Sequence, residues 1–275
     1  MAVQRIQSLS DPGLEPYAAL SERQLSEGKL SGNGLFIAEG EKVIRVALHA
    51  GYEPVSLLMD EQQLEEGGRT MAALYGCEWP DVPVFVGSRS QLRQLSGFDL
   101  SRGIMGVMHR RSRPSLEQVL ASARRVAVID GVVEATNVGA IFRSAAALDM
   151  DAVLVTSNSC DPLNRRALRV SMGNVLLVPW AWLETDGGGA YQARLRALGF
   201  VTAALALTDR SIPIDDPVLR RQERLALLLG TEGEGLPAAT IADADFTVKI
   251  PMGHGVDSLN VAAASAVAFW ELRTR

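Results

Sequence analysis

The sequence predicts an α/β protein built as two layered domains. Three observations carry that expectation. Strand-type and helix-type segments alternate along both halves of the chain. The strands of the second half are short, continuous apolar runs such as Val126–Ile129 and Leu225–Leu229, the pattern of a mostly parallel sheet covered on both faces. The 275 residues also exceed one domain of about 150, and charge and proline break the apolar pattern at His109-Arg110-Arg111-Ser112-Arg113-Pro114. The expected organisation is a smaller N-terminal α/β domain over 1–109, a linker with its connecting helix over 110–122, and a second domain over 123–275.

The elements follow in order. Asp11-Pro12-Gly13 and Ser31-Gly32-Asn33-Gly34 bracket an irregular start and a helix from Leu14 to Lys29. Leu35–Ala38 is a strand. Gly40–Ala50 is a helix with Val43, Ile44, Ala47 and Leu48 on one face. Strands over Val55–Met59, Val82–Val86 and Ile104–Met108 alternate with helices over Arg69–Tyr75 and Gln91–Leu95. A helix over Ser115–Ala123 leads into the second half. There the strands are Val126–Ile129, Ala152–Val155, Val175–Val178, Val201–Leu207, Leu225–Leu229 and Phe246–Ile250. The helices are Asn137–Leu148, Asn164–Val170, Tyr191–Leu198 and Leu259–Leu272, with a turn-rich loop at Asp186–Gly189.

Composition removes several classes. Hydrophobic residues at 47% and charged residues at 21% exclude a disordered chain. No run of about 18 uncharged apolar residues marks a membrane span. The start Met-Ala-Val-Gln-Arg lacks a basic-then-apolar signal. Two distant cysteines, Cys77 and Cys160, make neither a disulfide scaffold nor a Cys-rich zinc site, and they fit a reducing cytoplasm. The net charge of −5 argues against non-specific coating of nucleic acid. Two local basic clusters remain, Arg110, Arg111 and Arg113 in the linker with Arg102 before them, and Arg165, Arg166 and Arg169 on a helix. Each is either a solvated face or a phosphate contact.

Ligands of open parallel sheets sit beyond the carboxyl ends of strands, and three such ends are unusual here. Asp130–Ser144 is a polar loop running into a helix that Thr136 or Asn137 is placed to cap. Gly139 permits close backbone approach. Arg143 follows Asn137 by six residues, on the far side of an ideal helix but long enough to reach back. Leu228–Pro237 places Gly230, Gly233 and Gly235 after an apolar strand, so backbone amides can face a ligand. It matches neither the Walker loop nor G-x-G-x-x-G, and Glu232 and Glu234 favour a neutral or cationic ligand over a diphosphate. Ile250–Asn260 ends a strand on proline, passes a glycine loop and enters the last helix, with Asp257 or Ser258 as expected cap. No spacing of His, Cys or acidic residues suggests a metal site.

These three segments, in this order, resemble the motifs of the SpoU (TrmH) family of the SPOUT superfamily. They are Asn137-x-Gly139-x-x-x-Arg143, Gly230-x-Glu232-x-x-Gly235-Leu236, and Ile250-Pro251-Met252 with Ser258-Leu259-Asn260. The resemblance covers about 125–275. It implies an RNA ribose 2′-O-methyltransferase domain with a mostly parallel sheet and a deep trefoil knot, working as a homodimer with S-adenosylmethionine bound in the knot. Phe36-Ile37-Ala38-Glu39-Gly40 also resembles the L30e-like RNA-binding domain that precedes such domains. By the resemblance, Gly230, Ile250 and Leu259, with Gly235, hold the cofactor. Arg143, Asn137, Glu232, Ser258 and Asn260 form the catalytic set. Glu134-Ala135-Thr136 departs from the acidic-proline pair common before the motif asparagine.

The implied reaction is in-line attack of a 2′-hydroxyl on a sulfonium methyl, which needs placement and proton removal rather than a metal. Arginine is effectively always protonated in proteins, so Arg143 either positions a phosphate and stabilises developing alkoxide charge or transiently accepts the proton. Structured ribosomal RNA is the expected substrate, with transfer RNA and a non-catalytic RNA- or cofactor-binding homologue as alternatives. A dinucleotide oxidoreductase is disfavoured by the failed glycine fingerprint.

Overall fold

The computed structural model describes residues 3–18, 34–66, 79, 81–96, 103–184, 190–231 and 233–274. Its contacts separate the chain into two compact units.

The first unit is Met1–Ser112 together with Leu163–Leu176. Its sheet contains β1 (Val3–Arg5), β2 (Leu35–Glu39), β3 (Pro54–Asp60), β4 (Val84–Gly87) and β5 (Ile104–His109), in the order β1-β4-β3-β5-β2. β1, β4 and β3 run parallel, and β5 is antiparallel to both β3 and β2. Around it lie α1 (Glu15–Ala18), α2 (Glu41–His49), α3 (Glu61–Glu66) and α4 (Arg89–Ser96). α2 buries Val43, Ile44 and Ala47 and turns Lys42, Arg45 and His49 outward, as its apolar spacing dictates. Tyr17 is buried in the core with Leu14, Leu58, Phe85 and Leu92. Its hydroxyl shares a 2.8 Å hydrogen bond with Ser56, and burial pushes its pKa well above the ordinary tyrosine value.

The second unit is Arg113–Pro162 with Leu177–Arg275. Its strands are β6 (Arg125–Ile129), β7 (Ala152–Thr156), β8 (Trp180–Leu183), β9 (Val201–Leu205), β10 (Ile212–Pro213), β11 (Leu225–Leu229) and β12 (Phe246–Lys249). They form one sheet in the order β10-β12-β9-β11-β6-β7-β8, with every pairing parallel. Every residue of the adjacent central strands β6 and β11 is buried, which is why both read as unbroken apolar runs. One face packs against α5 (Leu116–Leu120), α8 (Ala190–Ala197) and α10 (Ala238–Asp243), through residues such as Leu116, Leu120, Tyr191 and Leu195. α6 (Ala135–Ala147) packs against α11 (Val261–Leu272). A further short helix, α9 (Pro217–Arg220), follows β10. α5 starts with a capping box in which the Ser115 hydroxyl accepts from the Gln118 amide while the Gln118 side chain accepts from the Ser115 amide.

Several expectations are corrected. Val175–Val178 is not a strand: Asn174–Leu176 forms a 3-10 turn, and the strand is Trp180–Leu183. A short apolar run is equally good as a buried turn, and here Leu176 N–H closes onto the Gly173 carbonyl. The helix expected over Leu14–Lys29 begins as a 3-10 turn at Pro12–Leu14 and continues through Glu15–Ala18; the rest lies outside the described residues. The expected helix Arg69–Tyr75 and loop Asp186–Gly189 also lie outside them. The short elements β1, α3, β10, α9 and α10 are not predicted by the sequence, because two to six residues carry too little periodicity.

The segment Leu163–Leu176 carries α7 (Arg165–Val170), which packs against β2. Asn164 caps α7 through its side-chain oxygen. Arg169 donates to Glu39 at 3.2 Å, and Arg165 approaches the same carboxylate at 3.7 Å. Glu39 is 1% exposed, so the two guanidiniums supply the charge compensation that a buried carboxylate requires.

Candidate active site

The sheet order reverses between β11 and β6, and a cavity of about 270 Å³ opens beyond the carboxyl ends of the neighbouring strands β9, β11 and β12. Its walls bring together Gly230, Gly235, Ile250, Ser258 and Leu259, from segments separated in sequence. Five of the residues expected to form the site therefore share one cavity.

Local chemistry explains the shape. After β11 the chain turns back on itself, with Thr231 and Gly235 exchanging backbone hydrogen bonds of 3.1 and 3.2 Å. Gly235 adopts φ +70, a conformation that favours glycine. Gly230 is demanded by space instead: a β-carbon there would stand 2.4 Å from the backbone of Gly235 and Leu236. Glu234 and Asp257 add carboxylates to the lining and Lys249 adds an ammonium. Glu232 lies outside the described residues.

Asn137 and Asn260 meet where α6 and α11 begin. Asn260 Nδ2 donates to Asn137 Oδ1 at 3.2 Å. Asn260 Oδ1 accepts from the amides of Ala262 and Ala263 at 3.0 and 3.3 Å, capping α11. Asn260, not Asp257 or Ser258, is thus the cap, and the helix starts at Val261 rather than Leu259. Nor do Thr136 and Asn137 cap α6: the helix opens after Glu134, and both residues sit inside its first turn. That placement buries Asn137 and points it at Asn260. Arg143 is exposed on α6, outside the cavity lining, with no hydrogen bond or ion pair to a described residue.

The basic clusters are used differently. Arg110 is 7% exposed, and its Nε donates to the Leu35 carbonyl at 3.0 Å. Arg111 bonds the carbonyls of Ala50 and Gly51 and lies 4.8 Å from the Tyr52 ring centroid. Arg113 stacks 3.5 Å over Trp180. The linker arginines are therefore not presented to solvent as a set. Their partners are carbonyls and aromatic faces, which a charge pattern does not reveal. Of the second cluster, Arg166 is exposed, while Arg165 and Arg169 engage Glu39.

Leu205–Leu207, at the end of β9, also line the cavity but belong to none of the three motif segments, whereas Met252 of the third segment lines it after β12. Leu205–Leu207 follow an ordinary apolar strand and carry no glycine or charge signal. Asp130, at the end of β6, is buried and accepts from the Tyr191 hydroxyl at 2.8 Å and the Thr240 hydroxyl at 3.5 Å. Burial raises its pKa above the ordinary 3.8, against the two hydroxyl bonds, which lower it. A raised carboxylate pKa gives stability below 3.8 that is lost as pH rises through the folded value. Asp130→Asn is therefore expected to gain stability relative to the parent between pH 4 and pH 7. Urea midpoints at the two pH values check this, and a constant gap would refute it. Among the described residues, no cluster of three His, Cys or acidic side chains is placed to hold a metal, and no helix is long and apolar enough to cross a membrane.

The sequence profile of the SpoU rRNA Methylase family matches residues 124–270, which contain every segment lining the cavity. The chain belongs to the SpoU rRNA methylase family. A Mycobacterium tuberculosis (strain ATCC 25618 / H37Rv) protein named as an uncharacterized tRNA/rRNA methyltransferase is 37% identical to this SpoU-family chain over 274 residues, covering 99% of the chain and 92% of the relative. The 23S rRNA (guanosine(2553)-2′-O)-methyltransferase RlmP of Bacillus subtilis (strain 168) is 27% identical over 86% of the chain and 88% of its own length. The fold is shared with an AdoMet-bound rRNA methyltransferase from Sinorhizobium meliloti, at a TM-score of 0.81 and 24% identity, covering 98% of this chain and 97% of that one.

Proposed function

We propose that this SpoU-family methyltransferase transfers a methyl group from S-adenosylmethionine to a ribose 2′-hydroxyl of ribosomal RNA, as a cytoplasmic homodimer. The observation that carries the reading is the cavity at the ends of β9, β11 and β12, where Gly230 is pressed against its own loop. When bound there, the cofactor supplies an electrophilic methyl on a sulfonium. The lining suits it: backbone at Gly230, Ile250 and Leu259 is open to a nucleoside, and the Glu234 and Asp257 carboxylates favour a cationic group. RlmP, named for 2′-O-methylation of 23S rRNA guanosine, supports the substrate and the position.

In this reading the chain's own groups place the hydroxyl and stabilise the charge that develops on it, while its proton passes to solvent. Arg143 reaches out from α6 to hold a substrate phosphate and to stabilise negative charge as the 2′-oxygen loses its proton. The Asn137–Asn260 contact sets the relative position of the helix that bears Arg143 and the loop that bears Ser258. Glu232 is assigned to the same catalytic set by its place in the second motif. The same reading assigns a trefoil knot to the second domain and an L30e-like RNA-binding role to residues 1–109.

The homodimer rests on α11. The helix is apolar but for Ser265 and Glu271, and Ala263, Val267 and Trp270 form an exposed stripe at helical spacing, with Trp270 53% exposed. Such a helix requires a cover, and a second copy supplies one. Trp270→Glu is expected to convert the dimer to monomer in sedimentation or light scattering at micromolar protein; a parent that is already monomeric ends the dimer reading.

The test of function uses tritiated S-adenosylmethionine with total RNA from a strain lacking this protein, then size fractionation and nucleoside analysis. Label in a 2′-O-methylnucleoside of ribosomal RNA is expected. Label in transfer RNA would reassign the substrate, and no label with cofactor binding intact would favour a non-catalytic homologue.

A further inference from the structure

The second unit buries a carboxylate that methyl transfer does not use. Asp130 follows β6, beside the point where the strand order reverses. Its Oδ2 accepts from the Tyr191 hydroxyl of α8 at 2.8 Å and from the Thr240 hydroxyl of α10 at 3.5 Å. Burial strips water from a carboxylate, and these hydroxyls take the water's place. Thr240 is held a second time, because Gln192 Nε2 donates to its carbonyl at 2.8 Å. Asp130, Tyr191, Gln192 and Thr240 are all buried.

The attachment points separate this network from ordinary core filling. The segment Gly230–Pro237 joins the end of β11 to the start of α10. At its entry, the Asp130 amide donates to the Leu229 carbonyl at 2.8 Å. At its exit, the Asp130 carboxylate takes the hydroxyl of Thr240, the third residue of α10. One residue therefore grips both ends of the loop. Pro237, just before α10, makes no side-chain cap, so the helix start depends on contacts farther in. Between the two grips, Gly230 sits against Gly235 and Leu236 with no room for a β-carbon. A buried polar network whose members are bonded selects one arrangement of the elements it joins. A loop ordered before its ligand arrives loses less freedom on binding.

We propose that Asp130 is a positioning residue for cofactor binding, holding the Gly230–Pro237 loop, through Thr240 and the Leu229 carbonyl, in the shape that receives S-adenosylmethionine. The proposal rests on the reading of the cavity as the cofactor site and adds what keeps that cavity formed. Asp130, Tyr191, Gln192 and Thr240 do not line the cavity, so their effect reaches the cofactor only through the loop. The grip joins residues 110 apart in sequence, so only the folded protein has it.

The experiment is calorimetric titration of the full chain with S-adenosylmethionine, beside hydrogen exchange read peptide by peptide. Thr240→Val removes the hydroxyl and nearly keeps the shape. It is expected to raise the dissociation constant about tenfold with the binding stoichiometry unchanged. Thr240→Ser keeps a hydroxyl and should stay within about threefold of the parent. Amides of 233–241 should exchange faster in Thr240→Val while those of β6 and β7 keep the parent's protection, a local change that general destabilisation would not give. Asp130→Ala should weaken binding at least as much. The double variant should lose no more than about twofold beyond the weaker-binding single variant, because both changes remove one contact. Thr240→Val, the milder change, decides the matter with Thr240→Ser if Asp130→Ala does not fold. Thr240→Val affinity within about twofold of the parent, or losses that multiply in the double variant, overturns the proposal. A parent that binds no S-adenosylmethionine defeats the cofactor reading, and this proposal with it, whereas a parent that binds while Thr240→Val is unaffected defeats this proposal alone.

Discussion

Gly230→Ala is expected to lower affinity for S-adenosylmethionine by about 100-fold or more. The added methyl would lie 2.4 Å from the Gly235 carbonyl carbon and the Leu236 amide nitrogen. Both are backbone atoms, so no flexible side chain can move aside. Relief requires opening the turn that Thr231 and Gly235 close with two hydrogen bonds. Overpacking of this kind costs about 1–3 kcal/mol, and each bond is worth about 1 kcal/mol. A loss near 3 kcal/mol corresponds to roughly 100-fold in affinity. Gly253→Ala is the comparison, because an added methyl there meets nothing within 4 Å. Calorimetric titration of both variants checks the expectation. A Gly230→Ala dissociation constant within threefold of the parent would show that this turn does not shape the cofactor site.

Arg143→Ala is expected to lower turnover by about 100-fold or more while cofactor affinity stays near that of the parent. Arg143 is exposed and has no partner among the described residues, so truncating it should change stability by no more than about 0.5 kcal/mol. It does not line the cavity, so the cofactor pocket remains intact. Arg143→Lys separates a positional role from a purely coulombic one. An ammonium keeps the charge but not the planar fork, and recovery to parent turnover would show that charge alone suffices. Single-turnover methyl transfer with saturating RNA is the measurement. Near-parent rates in Arg143→Ala would remove this residue from the mechanism.

Both predictions concern residues visible in the sequence, but for different reasons. Gly230 follows an apolar strand and opens a glycine loop, so its position at a strand end was legible. That it is required by space and not by backbone angle was not, because the atoms it would strike become neighbours only when the turn closes. Asn260 was legible as part of a motif. Its two tasks, capping α11 and meeting Asn137, depend on two helix starts 123 residues apart. The linker arginines show the opposite failure. A run of cations without acids suggested a phosphate surface, yet Arg110 and Arg111 bind carbonyls and Arg113 stacks on Trp180.

By itself the sequence determined the α/β class, the parallel character of the second sheet and the three segments that carry chemistry. These follow from local patterning: apolar runs mark buried strands, and glycine and polar residues mark their ends. The tertiary structure decided which strands are neighbours, and hence that β9, β11 and β12 share one cavity. It also decided that Leu163–Leu176 packs with the first unit and brings its arginines to Glu39. Strand order and long-range ion pairs depend on contacts between residues far apart in the chain, which local periodicity does not encode.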